Sequence, residues 1–147
     1  ICERHGLEKI KTIGDAYMCA GGLPVPNDTH PGDAVRAALD MVQWLAVRNR
    51  QNPEALLNEM RIGVHTGAVV AGVVGKNKFA YDIWGDAVNL AARLEEHGES
   101  GKVNVSSATA EAVKGQFRTQ YRGKIDVHNK GMVDMYFIVP PSGAEKK

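Results

Sequence analysis

The stretch Lys11–Met18, KTIGDAYM, is typical of two short β-strands that meet at a tight turn at Gly14 and Asp15. Glycine tolerates positive φ and aspartate hydrogen-bonds to its own backbone, so this pair is common in turns. The flanking residues are apolar, which indicates that the turn is fixed to a core. Two roles remain open for Asp15: it forms the turn, or the rigid hairpin presents its carboxylate to a ligand. Spacing alone favours the turn.

The composition indicates one domain with a substantial core, because 44% of the 147 residues are hydrophobic. With 18 basic and 17 acidic residues the net charge is +1, which gives no reason to expect a nucleic-acid partner. No apolar run approaches the roughly 20 residues of a membrane span, so this segment is expected to make no membrane contact. Cys2 and Cys19 are too few for a disulfide framework or a zinc site, and they favour a reducing, cytoplasmic location.

The chain begins at Ile1 without a methionine, and its first ten residues, ICERHGLEKI, are typical of a helix end that continues into a strand. We therefore expect a longer parent protein, either soluble or attached to a membrane elsewhere. The hairpin is predicted over Leu7–Ile13 and Ala16–Ala20. A loop follows, and Asp28 or Thr29 is expected to cap a helix that runs to about Arg50.

The rest of the chain alternates strands and helices. We predict strands over Met60–Gly67, Lys78–Gly85 and Gly101–Ser107, and a closing antiparallel pair over Phe117–Val127 and Met132–Pro140. Ala68–Gly75 is apolar and interrupted by glycines, so its secondary structure is ambiguous. Helices are predicted over Asp86–Gly98, with Asp86 as the cap, and over Ser107–Lys114. This mixture predicts an α+β fold in which helices pack on one face of a single sheet.

The helix over Asp86–Gly98 has two different faces. Its apolar residues fall on one stripe, which predicts a buried face at Ala87, Leu90, Ala91 and Leu94. The opposite face carries Asp86, Asn89, Arg93 and Glu96. A solvated polar face explains this pattern, but asparagine is a poor helix former, and Asp82 ends the preceding strand nearby. A carboxylate, an amide and a guanidinium could together read a base, hold a ribose and neutralise a phosphate.

Four segments in this order resemble the catalytic domain of the class III nucleotidyl cyclases. They are KIKTIGDAYMCAGGLP (Lys9–Pro24), RIGVHTGAVVAGVVG (Arg61–Gly75), YDIWGDAVNLAARLE (Tyr81–Glu95) and SGKVNVS (Ser100–Ser106). The resemblance covers residues 1–139 and leaves 140–147 as a polar tail. It implies a ferredoxin-like or palm-like mixed sheet with helices packed on it, from which the first strand and helix of the family fold are missing.

The resemblance implies that the ribose 3′-oxygen of a nucleotide attacks its α-phosphate, which yields a cyclic monophosphate and pyrophosphate. Two Mg²⁺ or Mn²⁺ ions per site would assist this reaction in the parent. Asp15 matches a metal-binding aspartate of the family, with the backbone of Ile13 and Gly14 beside it. The turn is then the means by which the carboxylate is presented.

By the same resemblance, Lys11 and Asp82 read the purine, together with the backbone of Ile83. A lysine with an aspartate at these positions is similar to adenylate cyclases, so ATP is the expected substrate. Guanylate cyclases generally have glutamate at the first position and cysteine or a similar residue at the second.

The resemblance also implies roles for four further residues. Asn89 resembles the residue that positions the ribose, and Arg93 the residue that stabilises charge on the α-phosphate. Arg61 and Lys130 match positions that bind the polyphosphate, although His128 and Asn129 depart from the usual pattern around Lys130. His65 is interpreted as a packed, hydrogen-bonded structural residue.

In the family, metal carboxylates come from one protomer, and the base-reading pair, asparagine and arginine come from the other. This chain carries both sets, which implies a head-to-tail homodimer with two equivalent sites. Two alternatives remain open: a guanylate cyclase, and a non-catalytic module that binds nucleotide or only dimerises. The fragment alone is expected to be inactive, because the residues that bear the first metal aspartate should precede Ile1.

Overall fold

Eight strands and three α-helices lie along the part of the chain that the computed structural model describes, which is residues 1–54, 60–128 and 130–141. A 3-10 turn at Glu3–His5 precedes them. The strands are β1 (Glu8–Ile13), β2 (Ala16–Ala20), β3 (Ile62–Val64), β4 (Val70–Val74), β5 (Ala80–Trp84), β6 (Val103–Ser106), β7 (Arg118–Val127) and β8 (Gly131–Val139). The helices are α1 (His30–Gln51), α2 (Asp86–Glu96) and α3 (Ser107–Ala112).

The predicted hairpin is confirmed. Strands β1 and β2 pair antiparallel with Ile13 opposite Ala16, and Gly14 takes the positive φ of +59° that the turn requires. The ambiguous segment after Gly67 is a strand, β4, which forms a second hairpin with β5. The closing pair β7–β8 is also antiparallel, as predicted.

The α+β class with a mixed sheet is confirmed. Four strands pair in the order β3-β6-β8-β7, with β3 and β6 parallel and the other pairs antiparallel. The expected single sheet is corrected, because the β1–β2 and β4–β5 hairpins form two further sheets of their own. These hairpins contact one another by side chains such as Lys11 and Asp82, and the described residues show no backbone ladder between them.

Helices pack on both faces of the four-stranded sheet, which corrects the expectation of one covered face. Val103 and Val105 of β6 pack with α1 and α3 in the largest buried cluster. Neighbouring strand residues point to opposite faces, so Asn104 lies on the other side, where its amide donates to the Leu94 carbonyl of α2 at 2.8 Å. The sheet is therefore the middle layer between α2 and the pair α1 and α3.

Gly63 allows α2 to lie directly against β3. A Cβ at this position would be 2.4 Å from the backbone nitrogen of Glu95 and 2.5 Å from the carbonyl oxygen of Ala91. Real Cβ atoms do not approach other atoms so closely, so a side chain here would force the helix away from the strand. The strand itself ends at Val64 rather than at Gly67.

Helix α2 begins one residue earlier than a cap at Asp86 would require. Gly85 is the N-cap, with φ +130° and ψ 177°, and Asp86 is the first helical residue. A φ of this size favours glycine. Gly85 is therefore the N-cap, although the side chain of Asp86 is the better capping group. The two faces agree with the sequence pattern, although only Leu90 and Leu94 of the predicted apolar stripe are fully buried. Ala87 and Ala91 are half-buried, and Asp86, Asn89 and Glu96 are exposed.

Helix α1 starts after Thr29, which occupies the N-cap position. The Thr29 hydroxyl donates to Asp33 Oδ2 at 2.8 Å, and its side chain does not cap a backbone N–H.

No helix among the described residues combines the length and the apolar character that crossing a membrane requires.

Candidate active site

Asp15 lies at the tip of the first hairpin and is exposed. Its carboxylate is a hard oxygen ligand on a tight turn, which suits Mg²⁺ in donor type. Mg²⁺ is usually bound by one or two carboxylates together with waters and substrate phosphates. The described residues contain no group of three or more histidine, cysteine or acidic side chains that could hold a metal. Asp15 could therefore supply one ligand to a metal ion, and phosphate oxygens and further carboxylates would have to supply the others.

Lys11 and Asp82 form the best-defined polar pair of the candidate site. The Lys11 ammonium donates to Asp82 Oδ2 at 2.9 Å, and the Ile83 backbone N–H donates to Asp82 Oδ1 at 2.8 Å. The hydrogen bond from Lys11, and after it the one from Ile83, lowers the pKa of Asp82 below its ordinary value. The pair therefore presents a carboxylate that is ionised at neutral pH beside an ammonium, at the contact between the two hairpins.

Arg93 connects α2 to the end of β7. Its guanidinium donates to the Asp126 backbone carbonyl at 3.0 Å and to Glu96 Oε2 at 3.2 Å. Asn89 lies one helical turn earlier and is exposed. Both side chains project from the polar face of α2, as predicted from the spacing.

The expected convergence of Asp82, Asn89 and Arg93 is only partly seen. Among the described hydrogen bonds, Asp82 engages Lys11 and Ile83, and Arg93 engages Glu96 and Asp126. No described bond joins the three to one another. The sequence did not reveal Asp126 as a partner, because the contact is to a backbone carbonyl 33 residues away. The spacing of Arg93 and Glu96 could have revealed the other partner.

Arg61 and Lys130 lie next to strands, outside the regular elements. Arg61 stands just before β3 and forms an ion pair with Glu95 at 3.1 Å, so it is attached to the last turn of α2. Lys130 is exposed in the turn between β7 and β8, where its backbone N–H donates to the Val127 carbonyl at 2.9 Å. Ile13 is exposed beside the turn that carries Asp15.

His65 is half-buried and hydrogen-bonded, as expected. Its Nδ1 lies 2.7 Å from the Ser106 hydroxyl oxygen. Burial, and after it the positive charge of Lys130, lowers the pKa of the His65 imidazole below its ordinary value. The neutral ring is therefore the favoured form at neutral pH.

Comparison with known proteins identifies the family. The family model described as "Adenylate and Guanylate cyclase catalytic domain" matches residues 1–140. An adenylate cyclase of Mycobacterium tuberculosis is 40% identical over 95% of this chain and 31% of its own length. The human guanylate cyclase soluble subunit beta-2 is 41% identical over 92% of this chain and 22% of its own length.

A solved structure with a similar fold supports the same family. The catalytic core of a rhodopsin-guanylyl cyclase with converted specificity, in complex with ATPαS, has a TM-score of 0.80 and 34% identity. The match covers 94% of this chain and 74% of that one. This chain thus spans a third or less of the two curated relatives. From the family model, the relatives and the shared fold together, the chain belongs to the adenylate and guanylate cyclase catalytic domain family.

Proposed function

We propose that the chain is the catalytic domain of an adenylate cyclase that converts ATP to cyclic 3′,5′-AMP and pyrophosphate. The Lys11–Asp82 pair carries this proposal. Adenine offers an exocyclic amine as donor and ring nitrogens as acceptors. A carboxylate held ionised can accept from the amine, and an adjacent ammonium can donate to a ring nitrogen.

The family also contains guanylate cyclases, which makes GTP the alternative substrate. Guanine presents the O6 acceptor where adenine presents its amine. The Asp82 carboxylate, which is also an acceptor, would then face O6. Neither oxygen would receive a hydrogen bond from the other. Unpaired polar groups in a binding site are a strong source of discrimination, so the pair supports ATP over GTP.

The remaining residues are assigned to the triphosphate and the ribose. Asn89 positions the ribose, and Arg61 and Lys130 hold the polyphosphate. Arg93 stabilises the charge that develops on the α-phosphate, which requires its guanidinium to exchange part of its bonding to Asp126 and Glu96 for phosphate oxygens. Such an interaction is stronger in the transition state than in the ground state.

Asp15, with the backbone of Ile13 and Gly14 beside it, would hold Mg²⁺ or Mn²⁺. Bound ions of this kind acidify the attacking hydroxyl and neutralise phosphate charge. Two ions need further carboxylates, and the described residues hold no cluster of three or more histidine, cysteine or acidic side chains around Asp15 or elsewhere. For this reason we propose that the isolated 147-residue chain is inactive.

We further propose a head-to-tail homodimer in which Asp15 of one protomer completes a site with Asn89 and Arg93 of its partner. The hairpins expose large apolar side chains, which is typical of a contact surface. These are Ile13 at 62%, Val70 at 67%, Val73 at 65% and Phe79 at 72% exposure. The two free cysteines, Cys2 and Cys19, favour the cytoplasm as its location.

Complementation of two inactive variants tests the proposal. Asp15→Asn and Arg93→Ala are made separately in the parent protein, and each should abolish most cyclic AMP formation. Mixing them should restore roughly a quarter of the wild-type sites, because half of the dimers then carry one intact site. Two active variants would contradict the assigned roles. Two inactive variants that fail to complement would contradict the shared site. Nucleotide binding without turnover in the wild-type parent would support the non-catalytic alternative.

A further inference from the structure

The connection between β3 and β4 is fixed at its start by a polar network. His65 Nδ1 lies 2.7 Å from the hydroxyl oxygen of Ser106, the N-cap residue of α3. The hydroxyl oxygens of Thr66 and Thr109 are 2.9 Å apart. Ser106 and Thr109 are both buried, at 2% and 0% exposure. Two consecutive residues of the connection are therefore held against the first turn of α3.

The other side of the His65 ring lies against Gly67. A Cβ on Gly67 would be 3.0 Å from His65 Nε2 and 3.2 Å from the Cβ of Ala87 in α2. Both distances are tighter than ordinary van der Waals contact. Gly67 thus fills a narrow gap whose two walls are the imidazole and the first turn of α2.

This arrangement connects His65 to the residues assigned to catalysis. Ala87 is the second residue of α2, two positions before Asn89 and six before Arg93. A helix moves as a rigid element over such a short span, so a shift at Ala87 displaces both side chains. Small displacements matter, because a misplacement of about 1 Å can cost about a hundredfold in rate.

We infer that His65 is a positioning residue for the proposed reaction, which sets the location of the first turn of α2 through Gly67 and Ala87. The inference rests on the proposed cyclase function. It assigns His65 no contact with substrate. It also explains why the ring is anchored at one nitrogen by Ser106 while its other nitrogen faces the glycine.

A double-variant cycle in the parent protein tests this role. Gly67→Ala adds a methyl group to the gap, and His65→Ala removes the ring. Each should lower kcat by about 10- to 100-fold, while the affinity for ATPαS changes by less than about twofold. The double variant should recover part of the loss of Gly67→Ala, since the methyl group then has room. Unchanged kcat in Gly67→Ala, or a double loss equal to the product of the single losses, would overturn the inference.

Hydrogen–deuterium exchange measured by mass spectrometry gives a readout independent of turnover. The peptide covering 85–94 should exchange faster in both single variants, and it should keep its wild-type exchange in Lys114→Ala, an exposed position in the turn after α3. Unchanged exchange in that peptide in both single variants would overturn the inference. If Gly67→Ala does not fold, His65→Asn replaces it, because its amide can keep the Ser106 bond while the ring is lost. His65→Asn should lower kcat in the same way, and an unchanged kcat would again overturn the inference.

The two proposals fail in different ways. A wild-type parent that cyclises neither ATP nor GTP would contradict the proposed function, and the exchange measurement would still decide whether His65 sets the position of α2. An active parent whose kcat is insensitive to Gly67→Ala would leave the proposed function standing and remove the role of His65.

Discussion

Lys11 donates a hydrogen bond to Asp82 at 2.9 Å although 71 residues separate them in the chain. The contact joins the β1–β2 hairpin to the β4–β5 hairpin, and these belong to different sheets. One residue comes from each hairpin, so under the proposed function the selectivity for the base would depend on how the two hairpins sit together. The same contact holds Asp82 in its ionised form.

Exchange of this pair should change the preferred nucleotide. We expect Lys11→Glu combined with Asp82→Cys to move the parent from ATP towards GTP, because donors and acceptors then match guanine. One well-made contact discriminates by about 1–3 kcal/mol, which is about ten- to a hundredfold in kcat/KM. The measurement is kcat/KM for both nucleotides, with Lys9→Glu as the control on the same strand. An unaltered ATP/GTP ratio in the double variant would remove these two residues from base recognition.

Arg93 should act mainly on the chemical step. Arg93→Ala is expected to lower kcat by about 10²–10³ and to change KM much less, by analogy with the loss of a donor that stabilises transition-state charge. Steady-state kinetics of the parent give both constants, and Arg118→Ala at the exposed start of β7 is the control. A raised KM with unchanged kcat would assign Arg93 to ground-state binding instead.

Gly63 should be intolerant of any side chain. Gly63→Ala places a methyl group 2.4 Å from the Glu95 backbone nitrogen, so we expect a loss of about 1–3 kcal/mol in the free energy of unfolding. Gly115→Ala is the matched control, since a Cβ there meets no atom within 4 Å. Urea unfolding of both variants measures the difference. Equal stabilities would show that α2 does not lie as close to β3 as described.

The neutral form of His65 makes the stability depend on pH. The pKa of His65 is lowered in the folded state by burial and by Lys130, so the unfolded chain binds more protons at mildly acidic pH. The stability from the neutral ring is present above the ordinary histidine pKa of about 6.5. It is lost as the pH falls through the lower pKa of the folded state. The advantage of the wild type over His65→Asn in urea unfolding should therefore shrink from pH 8 to pH 5, and a constant or growing difference would contradict this.

The sequence was most informative where structure is set by local pattern. The hairpin at Gly14 and the two faces of α2 follow from turn chemistry and from the spacing of Leu90 and Leu94, and both were predicted correctly. Helix capping at Gly85 was missed, because Asp86 is the better capping side chain and the φ of +130° is visible only in the structure.

Long-range features were the harder part. The division of the strands into three sheets depends on pairing between distant segments. Arg93 donates to the backbone carbonyl of Asp126, and any residue type at that position would offer the same acceptor. The gap at Gly67 depends on how β3, α2 and α3 pack together. The roles of Lys11 and Asp82 were predicted from family resemblance, and their direct contact is a finding of the structure.

The adenylate cyclase assignment is tested by the rates at which the parent protein forms cyclic nucleotide from ATP and from GTP, each with Mn²⁺, in parallel assays. We expect cyclic AMP from ATP with a kcat/KM about tenfold or more above that for cyclic GMP from GTP. We also expect loss of the ATP reaction in Asp15→Asn. A preference for GTP would exclude the adenylate cyclase assignment, and an Asp15→Asn variant with wild-type turnover would exclude Asp15 as a metal ligand.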